Sequence, residues 1–298
     1  MEKHNVTIIC GPTAVGKTAL AMEWAKKNNA EIISADSGQI YRGMDIGTAK
    51  PTPAQRKEVS FHLLDIIDPG ERFSAADFRR LALEAIDDIQ SRGKRAVVAG
   101  GTGLYLKALE EGIFEGPSAN PFIRQKLERR MKEQGVESLH EELQRVDPEA
   151  AAAIPKGNKQ RLIRALEVYQ VAGKPISEFW REHSEAIQSR SQGSELTFEK
   201  IGLSLPKEEL HRRIEARVDD MVQEGLVKEV EMLLEEWGDN APGLKIIGYK
   251  EIISHVRGHM DLDDAVALIK LRTRQYAKRQ MTWFRKDSEI KWKDPTES

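Results

Sequence analysis

The chain has 298 residues, with 46 Lys and Arg against 48 Asp and Glu and a formal net charge of −2; at ~150 residues per domain, this length predicts about two domains. A hydrophobic fraction of 40% with 22 Gly and 12 Pro excludes disordered and collagen-like classes, and the one cysteine, Cys10, excludes an intrachain disulfide. No apolar run approaches the ~18 residues of a membrane span and the first residues lack a signal-peptide pattern, so a cytoplasmic protein is expected.

Val6 to Cys10 is a continuous apolar run ending at glycine, the pattern of a buried parallel strand. Lys17 to Asn28 has helical composition, and Glu31 to Ala35 reads as a second strand. Ser74 and Asp77 make a capping-box-like start to a helix with Phe78, Leu81, Ala85 and Ile89 on one stripe. Arg95 to Ala99, closed by Gly100 and Gly101, reads as a third strand. This alternation predicts an α/β fold, a parallel sheet wound with helices whose ligands sit beyond the carboxyl ends of the strands. Gly116, Pro117, Asn120 and Pro121 then break the chain, and Ile123 to Tyr169 is almost wholly helix-forming. The reading is an all-helical insertion over 114–197, with Ser184 to Glu195 as its exit loop. Phe198 to Leu205 returns as a strand, and Pro206 opens a series of helices ending in a basic one. Residues 1–113 and 198–298 therefore form the core.

The small net charge hides a local field. Lys270 to Lys293 carries nine basic residues against Asp287 and Glu289, +7 within 24 residues, leaving −9 on the rest. That asymmetry points to one polyanion-facing surface. A second patch holds Lys156, Lys159, Arg161 and Arg164 without an acid.

Gly11, Pro12, Thr13, Ala14, Val15, Gly16, Lys17 and Thr18 fit G-x-x-x-x-G-K-[ST], directly after a strand and opening a helix. The loop's N–H groups turn around phosphate oxygens, Lys17 supplies a point charge, Thr18 can ligate Mg²⁺, and the helix N-terminus adds its dipole. The core is accordingly read as P-loop NTPase-like and the ligand as a diphosphate or longer. A nucleotide hydrolase should also show a strand ending in a Mg²⁺-binding Asp and a guanine-reading Asn-Lys-x-Asp. Neither is present: the third strand ends in Gly100, Gly101 and Thr102, and Asn158-Lys159 is followed by Gln160-Arg161. Asp36 closes the second strand, where a carboxylate can hold Mg²⁺, act as a general base, or merely cap the turn with Ser37 and Gly38. Thr102 has the same geography.

The P-loop, the block from Asp36 through Ser37, Gln39 and Asp45 to Pro51, the turn from Gly100 through Thr102 to Tyr105, the stretch from Arg161 through Arg164 to Tyr169, and the closing block Gln275, Lys278, Arg279, Gln280, Thr282, Trp283 and Arg285 occur in that order. Together they closely resemble the bacterial tRNA dimethylallyltransferases, the isopentenyl-tRNA transferase family. The departures are small: Phe61-His62 where many relatives carry a His pair, and Val15 where Ser is frequent. The resemblance implies transfer of a dimethylallyl group from dimethylallyl diphosphate to the exocyclic amine of the adenosine 3′ of the anticodon, with Mg²⁺ as cofactor and tRNA as partner. It implies Asp36 as base, Thr102 in the same pocket, and Arg217 on the diphosphate, although residue chemistry alone reads Arg217 as a helix-surface partner of Glu215 or Asp220. It also implies tRNA contacts from Asp36, Ser37, Gly38, Gln39 and Thr102, and from Gln160, Arg161, Leu162, Ile163 and Arg164. Lys270, Arg274 and Lys278 recur at i, i+4 as one stripe, with Tyr276, Trp283 and Phe284 as aromatic surface; the alternative is a solvated face with the aromatics packed inward, and the charge window favours phosphate contacts. The reacting base must leave its stack to reach such a loop. His255 and His259 have a metal-like spacing, but Gly258 interrupts the helix and no acid partner is nearby, so they read as structural or solvent-facing. The rivals are a P-loop kinase with Asp36 as base, an isopentenyltransferase acting on a free nucleotide, and a non-catalytic RNA-binding switch. A monomer is expected.

Overall fold

The apolar runs become the strands of a six-stranded, all-parallel sheet in the order β3-β2-β4-β1-β5-β6. The computed structural model describes residues 4–114, 116–190 and 196–295. Two compact units divide at residues 111/112 and 194/195, against the breaks at 113/114 and 197/198 expected from sequence. In chain order the first half of the core holds β1 (His4–Cys10), α1 (Lys17–Lys27), β2 (Ala30–Ser34), α2 (Pro53–Glu58), β3 (Phe61–His62), α3 (Ala75–Ser91), β4 (Arg95–Gly100) and α4 (Gly103–Glu111). The inserted unit holds α5 (Pro121–Val146, broken at Gly135), α6 (Pro148–Ala153), α7 (Lys159–Ala172) and α8 (Ile176–Arg190). The chain returns as β5 (Leu196–Leu203), α9 (Lys207–Gln223), α10 (Leu226–Trp237), α11 (Tyr249–Val256), α12 (Leu262–Phe284) and β6 (Lys291–Lys293).

Register fixes where the strands end. Cys10 of β1 pairs with Gly100 of β4, and Ser34 of β2 with Ala99. The segments leaving β2, β4 and β1 are therefore brought to one edge of the sheet, at its carboxyl ends. Gly100 permits this closeness, since a Cβ there would stand 2.1 Å from the Ala35 carbonyl oxygen.

Ser74 and Asp77 do form a reciprocal capping box on α3. The buried stripe of that helix is Phe78, Ala82, Ile86 and Ile89; Leu81 and Ala85, expected on it, lie at its partly buried margin. Phe78 turns the stripe toward α4 by stacking on Tyr105, with ring centroids 4.5 Å apart. The inserted unit closes around Leu127, Leu139, Leu143, Leu162 and Leu166. The expected exit loop is corrected in part: α8 runs on to Arg190, so 184–190 are helical, while 191–195 lie outside the described residues.

The 36–51 block has little regular structure, yet buried charges fold it. Glu229 of α10 accepts from the N–H groups of Asp45, Ile46 and Gly47 at 2.9, 2.7 and 3.1 Å, and from the Tyr249 hydroxyl at 2.6 Å. Lys50, its side chain fully enclosed, reaches Asp45 and Asp65 at 2.6 Å each.

Lys200 of β5 is a second buried ionic centre, donating to Glu110 and Asp287 at 2.7 Å and lying 3.0 Å from Glu289. It ties the loop after α12 to the sheet. Lys200→Met removes the one cation from three carboxylates and is expected to cost about 3 kcal/mol of stability. Urea unfolding checks this as a lowered midpoint at unchanged slope.

Candidate active site

The phosphate loop follows from how β1 hands over to α1. Gly16 caps α1 in a left-handed conformation without a side-chain hydrogen bond, which leaves the helix's first N–H groups for an anion. Ala14 also sits at φ 65°, a strained state for a residue with a Cβ. Thr13, Ala14, Gly16, Lys17 and Thr18 line a cavity of about 670 Å³. Gly11, Pro12 and Val15 do not: the Val15 side chain is wholly buried, and Pro12 contributes its carbonyl, which accepts from Lys17 Nζ at 2.7 Å.

Burial lowers Lys17 to about 8, with the positive charge of Arg217 acting in the same direction and the negative charge of Asp36 opposing both. Arg217, from α9, is likewise lowered by burial and held up by Asp36. Its Nη2 donates to the Thr48 carbonyl at 3.3 Å, and it has no carboxylate ion pair among the described residues. The surface pairing with Glu215 or Asp220 is thereby corrected: Glu215 pairs with Arg274 of α12, and Arg217 points into the cavity. Two cations, Lys17 and Arg217, thus face the single carboxylate of Asp36, a balance that leaves room for an anion.

Asp36 has both of its sequence-expected environments. Oδ1 accepts from the Gly38 N–H at 2.8 Å, the capping arrangement, while the residue also lines the cavity. No hydrogen bond to Oδ2 is made among the described residues, so that oxygen remains available to a ligand. Gln39 lines the cavity, but its amide is committed to Ser34 Oγ at 3.0 Å and to the Thr48 and Ala49 carbonyls at 3.3 Å. Thr102 lies beside the wall: its hydroxyl accepts from the Ser37 N–H at 3.1 Å.

Ile269, Thr273, Tyr276 and Gln280 of α12 also line the cavity; of these only Tyr276 was read from sequence, as aromatic surface beside the basic stripe. Gln280 Oε1 accepts from the Thr13 N–H at 2.9 Å and its Nε2 donates to the Gly101 carbonyl at 2.8 Å. Tyr276 lies beside Thr102 and Gln280, and burial with the nearby Asp36 charge pushes its hydroxyl up to about 12. The sequence signal for Tyr276 and Gln280 was their position inside the closing Gln275 to Arg285 block.

For a metal, the cavity offers the Thr18 hydroxyl beside the phosphate loop and the Asp36 carboxylate, with no cluster of three or more His, Cys, Asp or Glu among the described residues. Such a donor set suits Mg²⁺, which keeps several waters and shares substrate phosphates. His255 serves structure instead, its Nδ1 lying 3.2 Å from the Met260 carbonyl.

Residues 39–287 match the family model described as IPP transferase. The chain is 48% identical over 292 residues to the tRNA dimethylallyltransferase of Geobacter metallireducens, covering 98% of this chain and 93% of that one. To the tRNA dimethylallyltransferase of Acetivibrio thermocellus it is 49% identical, covering 97% and 91%. This chain belongs to the IPP transferase family. Among solved structures, the full-length tRNA isopentenylpyrophosphate transferase of Bacillus halodurans is 41% identical with a TM-score of 0.71, over 98% of this chain and 90% of that one. A eukaryotic dimethylallyltransferase captured acting on tRNA is 30% identical with a TM-score of 0.80, over 99% and 74%.

In this IPP transferase the expected RNA-facing residues separate by environment. Leu162 and Ile163 are buried in the helical core, so their side chains pack and do not face a partner. Arg164 is committed to Glu167 at 2.9 Å and the Pro117 carbonyl at 2.7 Å, which leaves Gln160 and Arg161 exposed. On α12, Lys270 and Arg274 pair with Asp219 and Glu215 of α9, so two members of the expected stripe join helices. Lys278, Arg279, Arg285 and Lys286 are exposed with no carboxylate partner among the described residues, and Arg279 lies 5.8 Å over the Tyr276 ring. The free positive charge therefore gathers around the end of α12.

Proposed function

We propose that this IPP transferase moves a dimethylallyl group from dimethylallyl diphosphate to N6 of the adenosine 3′-adjacent to the anticodon of tRNAs, releasing diphosphate. The observation that carries the reading is one cavity holding a phosphate loop, two desolvated cations and a carboxylate with a free oxygen, in a chain of this family. Ala14, Gly16, Lys17 and Thr18 receive the diphosphate. As the allylic C–O bond breaks, negative charge grows on the leaving diphosphate, and Lys17 and Arg217 stabilise it in a desolvated site. Thr18 would hold Mg²⁺ against the diphosphate; bound, the ion neutralises leaving-group charge.

The adenine amine is a poor nucleophile and sheds a proton as its new C–N bond forms. Asp36 takes that proton through the oxygen not engaged by Gly38. Ser37, Gly38 and Gln39 shape the pocket beside the base, with Thr102 fixing Ser37. A base in a stacked loop cannot reach the carboxyl edge of the sheet, so the adenosine flips out, as loop nucleotides can. No helix among the described residues is long and apolar enough to cross a membrane.

Incubation with dimethylallyl diphosphate, Mg²⁺ and undermodified tRNA, with free AMP as a parallel acceptor, tests the reading. Prenylated tRNA with release of diphosphate is expected. ADP formation from ATP, prenylated AMP, or absence of product would each replace it with a named rival.

The relocated basic patch makes a separate prediction. Replacing Lys278, Arg279, Arg285 and Lys286 together with glutamine is expected to weaken tRNA binding and flatten its dependence on salt, each lost phosphate contact removing about 0.7–0.9 from the log–log slope. Replacing Lys270 and Arg274 is expected to leave that slope nearly unchanged and lower the melting temperature. Titrations at several salt concentrations distinguish the two pairs of outcomes.

A further inference from the structure

The cavity is assembled from segments that are remote along the chain, and one buried amide joins them. Gln280 is 267 residues from Thr13 and 179 from Gly101. Its acceptor oxygen meets an N–H and its donor nitrogen meets a carbonyl, so both ends of the amide are matched in the orientation observed. The approach to Gly101 is close enough that a Cβ there would stand 2.3 Å from Gln280 Nε2. Thr102, the residue after Gly101, accepts from the Ser37 N–H at 3.1 Å, next to Asp36, and Tyr276 of α12 lies beside both Gln280 and Thr102.

A continuous set of contacts therefore runs from the phosphate loop, through the α12 amide and the turn after β4, to the segment carrying the carboxylate. We infer that Gln280 is a positioning residue that fixes the separation between the leaving-group loop and the Asp36 base. The inference rests on the prenyl-transfer reading of this cavity. Both polar atoms of Gln280 are used by the protein, so it acts on the reaction through Thr13 and Gly101. Errors of about 1 Å in such a separation cost on the order of 100-fold in rate.

Gln280→Met keeps the length and apolar stem while removing both hydrogen bonds. Its kcat for tRNA prenylation is expected to fall about 10- to 100-fold, with KM for dimethylallyl diphosphate and Kd for tRNA changed by no more than about threefold. Gln280→Glu supplies a readout that a packing role would not move. As a carboxylate it repels the Gly101 carbonyl; as a neutral acid it again offers one donor and one acceptor. Its kcat relative to wild type is expected to rise as pH falls from 8 to 6, while that of Gln280→Met stays flat. The charged or titratable neighbours are Tyr276 and Arg279 of α12 and, around the cavity, Lys17, Asp36, Arg213, Arg217, Lys245 and Lys250. They are common to both proteins, so the ratio to wild type isolates the substituted group.

Gly101→Ala displaces the same amide from its other side and is expected to reproduce the kcat loss with Gln280 intact. A Gln280→Met or Gly101→Ala protein turning over within twofold of an active wild type, or a pH-independent ratio for Gln280→Glu, overturns the inference alone. A wild type that releases diphosphate without prenylating tRNA overturns the reading beneath it.

Discussion

Asp36→Ala is expected to lower kcat for tRNA prenylation by about 10²- to 10⁴-fold, the range associated with loss of a positioned general base, with Kd for tRNA within a few fold of wild type. Because Oδ1 of Asp36 also caps the Gly38 N–H, alanine alone would confound proton transfer with a loosened turn. Asp36→Asn resolves the two. Its amide oxygen can keep the cap while its neutral side chain cannot accept the proton at neutral pH. If the carboxylate is the base, asparagine and alanine are both slow and single-turnover rates fall as far as kcat. If capping is the whole role, Asp36→Asn turns over close to the wild-type rate. A loss chiefly in tRNA affinity would reassign Asp36 to docking.

The parts of this fold readable from sequence were those dictated by local patterns. β1, β2 and β4 are buried on both faces and read as short, mostly apolar runs, and α3 declared its start through Ser74 and Asp77. β3 is two residues long, and β6 is the exposed run Lys291, Trp292, Lys293 at the sheet edge, charged as edges commonly are. Neither carries a pattern that distinguishes it from a loop.

The site divides in the same way. The phosphate loop and Asp36 are neighbours of strands, so topology places them together once the strands are recognised. Arg217 depends on a partner choice made in space: α12 supplies Arg274 to Glu215, and Arg217 is left without its nearest acid. The same contact removes Arg274 from the expected RNA-facing stripe. A charge window summed along the chain could register neither event, because the neutralising acids lie on α9. Gln280 is still less legible, since a glutamine in a basic helix shows nothing of the two backbone groups it joins.

The Lys17 ammonium gives the second large effect, through pH. Burial lowers it from the ordinary lysine range to about 8, so in the ligand-free protein it loses its proton across the mildly alkaline range. A diphosphate within reach favours the charged form and restores the proton. Above pH 8 an organic diphosphate has already lost its last proton, which leaves Lys17 as the group that must take one up. Affinity for dimethylallyl diphosphate is therefore expected to fall about twofold from pH 7 to 8 and more steeply above it, approaching tenfold per pH unit. Calorimetry in buffers of differing ionisation enthalpy should register the uptake, near half a proton at pH 8 and rising above it; Lys17→Met should bind more weakly at pH 7 and lose this dependence. Stability of the ligand-free protein runs the other way. The unfolded chain holds more protons than the native state between pH 8 and about 10.4, so the native state gains stability as pH rises through that window. Below it, the buried charge costs no more than about 3 kcal/mol, and the advantage of Lys17→Met in urea unfolding should narrow from pH 8 to 10. An affinity that stays constant up to pH 10 would place the ammonium in contact with solvent and remove desolvation as the source of its response.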